Sequence, residues 1–303
     1  MSILSTSHND DVATDDDDDG GDITVAKVVV PYCSELEDGT TDTQKGLLTG
    51  SRTLTFRLSG DSEHDDMFTI SESFECEQEQ GTAVWMLSIA MASWVFCQQP
   101  RWLACPPQVV VELGSGCGLT GLAASQYCCA SSVFLTDFCE KTLANLRQTV
   151  LLQGARVPSC SQLYVQKLDW NDPTACSALP QGCAQLVLGS EVIFSGMSGA
   201  VDLFDDPQEI QLWECTANVA ETIAHILARP AGEAHIFNCT RDQADLDMFF
   251  ARAHELGLIT RTRELQLVLP LKQRSKNEQC IFGEEANILD KRHITLTWAP
   301  TAE

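Results

Sequence analysis

Apolar and polar positions alternate early in the chain, with Leu54, Phe56 and Leu58 spaced by polar residues in SRTLTFRLSG, then Phe68 and Ile70 in MFTISES. A period of two predicts half-buried strands, so residues 23–80 are expected to form a small β-rich region, a hairpin or edge sheet. Beyond Val109 the rhythm changes. Short apolar runs, QVVVEL, SVFLT, LYVQKL and QLVLG, are separated by helical stretches beginning near Gly118 and running from about Cys139 to Leu152. Continuous apolar strands alternating with helices predict a parallel sheet with right-handed crossovers and helices on both faces. A helix follows from Gln208 to Ala228, with Pro207 in its first turn and Ile210, Trp213, Val219, Ile223 and Leu227 along one side. EAHIFNC reads as a fifth strand, and Asp245–Leu256 as a helix burying Leu246, Phe249, Phe250 and Leu256, which Gly257 stops. RELQLVL and ITLTWA complete seven strands; the polar KQRSKNEQCIFGEEANILDK between them is expected to be a mobile loop. No internal repeat is visible.

The longest apolar run, Thr82 to Cys97, is too short for a membrane span and carries Ser88 and Ser93, so a buried helix is expected. Charge changes the picture at the other end. Of a net charge of -24 over 303 residues, residues 1–80 contribute 20 Asp and Glu against 4 Lys and Arg. Residues 1–22, with the block Asp15 to Asp19, are expected to be a solvated, disordered tail. An acidic chain without a basic cluster disfavours nucleic acid, and the absence of a basic-then-apolar leader disfavours secretion. Fourteen scattered cysteines with no C-x-x-C pair predict no zinc site and reduced thiols, hence an intracellular protein, cytoplasmic or nuclear.

The candidate chemistry lies in VVVELGSGCGLTGLAAS, a buried strand that turns through glycines into a helix. Two readings stay open. Gly116-Cys117-Gly118-Leu119-Thr120-Gly121 fits the dinucleotide fingerprint and suggests an NAD-dependent oxidoreductase. Starting earlier, Glu112-Leu113-Gly114-Ser115-Gly116-Cys117-Gly118 fits E-x-G-x-G-x-G and suggests methyl transfer. Ligands of open α/β sheets bind beyond the carboxyl ends of strands, so residues just after each strand are informative. Asp137, 21 residues past Gly116, stands where an acid can accept two ribose hydroxyls in either case. In QKLDWND, Asp169 and Trp170 offer a hydrogen bond and a ring to an adenine, which favours the second reading.

The ordered series GTAVWMLSIAMASWV, VVVELGSGCGLTGLAAS, VFLTDFCEKTLANLRQTV, QKLDWND and LVLGSEVIFS resembles the seven-strand protein lysine methyltransferases of methyltransferase family 16, the group of the methyltransferase-like 21 and 22 proteins. The resemblance spans about Gly81 to Gly257. It implies a Rossmann-like seven-strand sheet over residues 81–303, S-adenosylmethionine as cofactor, and a protein substrate methylated on lysine, with neither nucleic acid nor membrane as partner and a monomer as the expected state. It implies that Trp85 lies against the cofactor, that Gly114, Ser115, Gly116 and Gly118 form the turn under its methionine portion, and that Glu112 helps to hold it. Asp137 would take the ribose, Asp169 and Trp170 the adenine, and Ser190 the backbone position after the fourth strand. The family's strand-four motif runs from an acid to a tyrosine; here Glu191 is the acid and Phe194 replaces the tyrosine, and these two are the candidate catalytic residues.

Such a reaction needs a neutral amine, and a lysine with a pKa near ~10.4 is mostly charged at neutral pH. Burial against Ile193 and Phe194 would favour the neutral form, while Glu191 is expected to draw in the incoming cation. A methyltransferase-like scaffold that binds partners without catalysis is the remaining alternative, motivated by Phe194 and the acidic tail.

Overall fold

The computed structural model describes residues 25–29, 33–37, 51–58, 67–73, 80–154, 161–172, 178–194, 207–268 and 290–300. The expected tail (1–22) and nearly all of the polar loop before the last strand lie outside them. The main sheet has eight strands: β1 (Val25–Val29), β5 (Val109–Leu113), β6 (Ser132–Asp137), β7 (Gln162–Lys167), β8 (Leu186–Ser190), β9 (Glu233–Cys239), β10 (Leu258–Val268) and β11 (Lys291–Trp298). Their order is β1-β10-β11-β9-β8-β5-β6-β7. The five strands from β9 to β7 run parallel, and β11 is antiparallel to both of its neighbours. Seven of the eight are the strands the apolar runs predict. The eighth, β1, comes from the N-terminal region and pairs in parallel with β10. The remaining strands, β2 (Cys33–Glu37), β3 (Ser51–Arg57) and β4 (Met67–Ser73), make a separate antiparallel sheet.

Alternation along the parallel strands serves two cores. Val110, Leu186, Leu188 and Phe237 face one side, where α1 (Met86–Cys97), α3 (Leu119–Tyr127) and α4 (Glu140–Gln153) pack. Val111, Val187, Ala234 and Ile236 face the other, against α5 (Pro207–Ile226) and α6 (Gln243–Glu255). A short helix, α2 (Gln99–Ala104), follows α1. Strands buried on both faces have no polar side to show, which is why they read as unbroken apolar runs. The expected buried helix begins only at Met86, so Trp85 caps it rather than lying within it; eight of the twelve residues of α1 are buried. No helix among the described residues is long and apolar enough to cross a membrane.

The small sheet belongs to the first core: Leu54, Phe56, Phe68 and Ile70 are buried with residues of α1 and α3. Polar side chains fix it to α4. Thr149 Oγ1 accepts from the Ser71 amide at 3.0 Å, Asn145 Nδ2 donates to the Ser71 carbonyl at 2.8 Å, and Gln153 exchanges bonds with both backbone groups of Thr69. The same sheet then fixes the chain leading into α1, because the buried Glu72 accepts from the Val84 amide at 2.6 Å and Thr82 Oγ1 donates to Ser73 O at 2.6 Å.

Strand β5 connects through α3 to β6 on one side, whereas β8 adds on its other side. The order therefore reverses between β5 and β8, and the crevice beyond their carboxyl ends is where an open α/β sheet can take a ligand. The approach of α3 to the sheet depends on Gly121. A Cβ there would lie 1.9 Å from Leu135 Cδ2 and 2.7 Å from Glu112 Oε2. Gly121→Ala is expected to lower stability by about 1–3 kcal/mol, the usual cost of overpacking, as read from urea unfolding.

Candidate functional site

Beyond β5 the chain turns through Gly114 (φ +57°) and Gly116 (φ +53°), conformations that an L side chain rarely adopts. Space is restricted as well: a Cβ on Gly114 would come 3.0 Å from Val192 Cγ1, and one on Gly116 would come 3.1 Å from the Gly81 carbonyl. The turn is laced to the end of β6. Ser115 N donates to Thr136 O at 2.8 Å while Ser115 Oγ accepts from Thr136 N at 2.9 Å. Gly116 N donates to Asp137 Oδ2 at 3.2 Å.

These ends enclose a cavity of about 340 Å³, within the range of small-molecule sites. Trp85, Gly114, Gly116, Asp137, Trp170, Ser190, Glu191 and Phe194 all line it. Eight of the twelve residues singled out in the sequence thus meet in one place, from stretches as far apart as positions 85 and 194. Asp137 has its oxygens held by the Gly116 and Cys139 amides, the latter at 3.1 Å, and burial raises its pKa while these bonds lower it. A carboxylate has about four acceptor positions, so with the Phe138 amide also beside it Asp137 keeps acceptor capacity for a ligand donor.

The other four are held elsewhere. Ser115 spends its amide and hydroxyl on Thr136, and Gly118, at φ +85°, caps α3 with its backbone against Leu146. Asp169 Oδ1 accepts from the Asn171 amide at 3.0 Å in the turn after β7, which leaves Trp170 alone at the wall. Glu112 is buried beneath the turn instead of facing the cavity. Its Oε2 makes no hydrogen bond among the described residues. Desolvation pushes its pKa up to about 8, although Ser115, Gly121 and Thr120 close by pull in the opposite direction.

Glu191 is a strained residue. Its φ of +56° is left-handed, a costly conformation for a residue with a side chain, and the surroundings hold it there. Glu191 N donates to Phe237 O at 2.8 Å. The buried Asn238 then clamps the next turn, its Oδ1 accepting from Ile193 N at 3.0 Å and its Nδ2 donating to Ile193 O at 2.9 Å.

The sequence reading missed one charged wall residue. Arg241, two residues past the end of β9, donates from Nη2 to Glu191 Oε2 at 3.2 Å. Its guanidinium carbon lies 6.0 Å from the Trp85 ring centre and 5.8 Å from that of Phe194. The signal was available: the rule that applied to four strand ends also covers the fifth, where NCTRD supplies both Asn238 and Arg241. Gly81, Phe138, Cys139, Thr142 and Val192 complete the lining. Phe138 is 63% exposed and stands at the rim.

Residues 63–204, a little under half of the chain, match a family model described as lysine methyltransferase. Mouse protein-lysine N-methyltransferase EEF2KMT is 32% identical over 121 residues, which cover 38% of this chain and 35% of that protein. The human putative protein N-methyltransferase FAM86B1 is 27% identical over 121 residues, 38% of this chain and 36% of that protein. The match thus spans about a third of the length of these curated relatives. A methyltransferase crystal structure from Pyrococcus furiosus aligns with a TM-score of 0.41 at 13% identity, over 67% of this chain and 81% of that one.

Glu112 makes stability depend on pH. Its folded pKa of about 8 lies above the ordinary carboxylate value, so the folded state binds the extra proton. The contribution is complete below the unfolded pKa and is lost as pH rises towards about 8. Glu112→Gln is expected to flatten this decline and to exceed the native protein in stability at pH 8.5, as compared by urea unfolding at pH 5.5 and 8.5.

Proposed function

We propose that this protein, whose residues 63–204 match a lysine methyltransferase family model, is an S-adenosylmethionine-dependent methyltransferase acting on a lysine side chain of a protein substrate. The observation that carries the proposal is the convergence of Trp85, Gly114, Gly116, Asp137, Trp170 and Glu191 on one cavity at the reversal of strand order.

The residues fit the cofactor. Side-chain-free positions at 114 and 116 leave a cradle under its methionine portion, and the remaining acceptor capacity of Asp137 suits a ribose hydroxyl. Trp170 offers a ring to the adenine, and the half-exposed Trp85 lines the same cavity. When bound, S-adenosylmethionine supplies a methyl group on a sulfonium; the amine lone pair forms the new N–C bond as the C–S pair stays with sulfur. The protein's part is to align the acceptor, exclude water and keep the amine unprotonated, and alignment alone can contribute roughly 7–11 kcal/mol. Phe194 brings no hydroxyl, so its contribution is an apolar wall.

The nicotinamide reading fits less well. A pyrophosphate needs free amides at the start of a helix, yet here Gly116 N is bound to Asp137 and Gly118 N to Ser115 O at 2.7 Å. Leu119 and Thr120 are fully buried, and Thr120 Oγ1 donates to Ser88 O in α1. The start of α3 is therefore covered by the protein itself, with the Glu112 carboxyl beneath it.

The protein incubated with methyl-labelled S-adenosylmethionine and a cell extract is expected to yield labelled methyl-lysine on hydrolysis. Calorimetry showing no affinity for S-adenosylmethionine or its demethylated product would sink the proposal, and binding without transfer would favour the scaffold alternative. Asp137→Ala is expected to weaken S-adenosylmethionine binding about tenfold or more in the same titration, since a charge-assisted bond to the ribose is lost.

A further inference from the structure

The acceptor side of the cavity already contains a cation. The groups suited to an incoming ammonium, the Glu191 carboxylate and the faces of Trp85 and Phe194, all serve Arg241 instead. A guanidinium keeps its charge at every pH the protein tolerates. Its Nε has no hydrogen-bond partner among the described residues, where Nη2 donates to Glu191 Oε2. The ion pair leaves little net charge to attract a second cation.

We propose that Arg241 selects the acceptor lysine in its neutral form, by neutralising Glu191 and by repelling a protonated amine at the same place. The inference rests on the lysine methyltransferase reading given above. It reassigns Glu191 from capturing the substrate cation to holding Arg241, for which the left-handed turn at Glu191 provides the direction. The acceptor gives up its proton to solvent at the site, and its freed lone pair is what the reaction uses. A like charge nearby favours the neutral state of an amine, and one pH unit of such preference changes the neutral fraction about tenfold.

The other groups near Arg241 do not replace this effect. Cys239 on β9 is buried and its thiol is pushed up to about 12, first by desolvation and then by Glu191, so it stays uncharged. Lys291 pairs across the ladder with Cys239 and adds positive charge on the same side. Asp137 takes the Gly116 and Cys139 amides, and Glu72 takes the Val84 amide.

The test compares the native protein, Arg241→Gln and Arg241→Lys in transferring label from S-adenosylmethionine to cell extract, both saturating so that the rate reports the bound acceptor, between pH 6 and 10. Methyl-lysine is counted after hydrolysis, and cofactor affinity is measured separately by calorimetry. Arg241→Gln is expected to move the acid limb of the rate profile up by about one pH unit, with about tenfold less activity at neutral pH and recovery at high pH. Arg241→Lys should keep the native limb. Cofactor affinity should be the same in all three.

A rate that falls equally at every pH in both variants would mean that Arg241 only supports the local structure. Weakened cofactor affinity in Arg241→Gln would mean that the guanidinium binds the cofactor. Either result overturns the inference and leaves the methyltransferase reading intact. No cofactor binding or no methyl-lysine from the native protein would instead overturn that reading, and the inference with it.

Discussion

The site depends on the stitching of two neighbouring strand ends. Ser115 and Thr136 exchange hydrogen bonds beyond β5 and β6, and Asp137 takes the Gly116 amide. This fixes the glycine turn as a rigid floor, and the same carboxylate that supports the floor presents its remaining acceptors to the cavity. A single acid is thus both a structural tie and a candidate ligand contact. The second wall depends on a similar device at β8 and β9, where Asn238 binds both backbone groups of Ile193 and keeps Glu191 in a conformation it would not adopt alone.

Most of the fold was legible because burial on both faces forces strands to be apolar throughout and helices to repeat on one side. The seven expected strands and the four later helices, α3 to α6, occur in order. Boundaries moved where a local signal was lacking: β10 begins at Leu258, directly after Gly257, although its first residues are mostly polar and exposed. The pairing of β1 with β10 could not be foreseen, because five residues carry no mark of a partner more than two hundred positions away.

The candidate site was legible where a residue's role is written in its spacing. Gly114, Gly116, Asp137 and Trp170 stand just past strand ends, and the fold brings every strand end in this part of the sheet to one rim. Glu112 and Asp169 sit equally close in sequence, yet side-chain direction sends one under the turn and the other into a turn of its own. Nothing in a spacing rule distinguishes those outcomes. Arg241 escapes for a different reason: the motif series ends with the fourth strand, and the relevant charge comes after the fifth.

Strand β1 covers one side of β10, the longest strand of the main sheet at eleven residues. Trimming the polypeptide back to residues 81–303 would uncover that flank, leaving amide and carbonyl groups open to pairing with another molecule. The same cut would release Trp85 from the anchoring that Glu72 gives the segment ahead of it. A shortened protein would therefore tend to self-associate and to lose one wall of its cavity, even though every motif residue was still present.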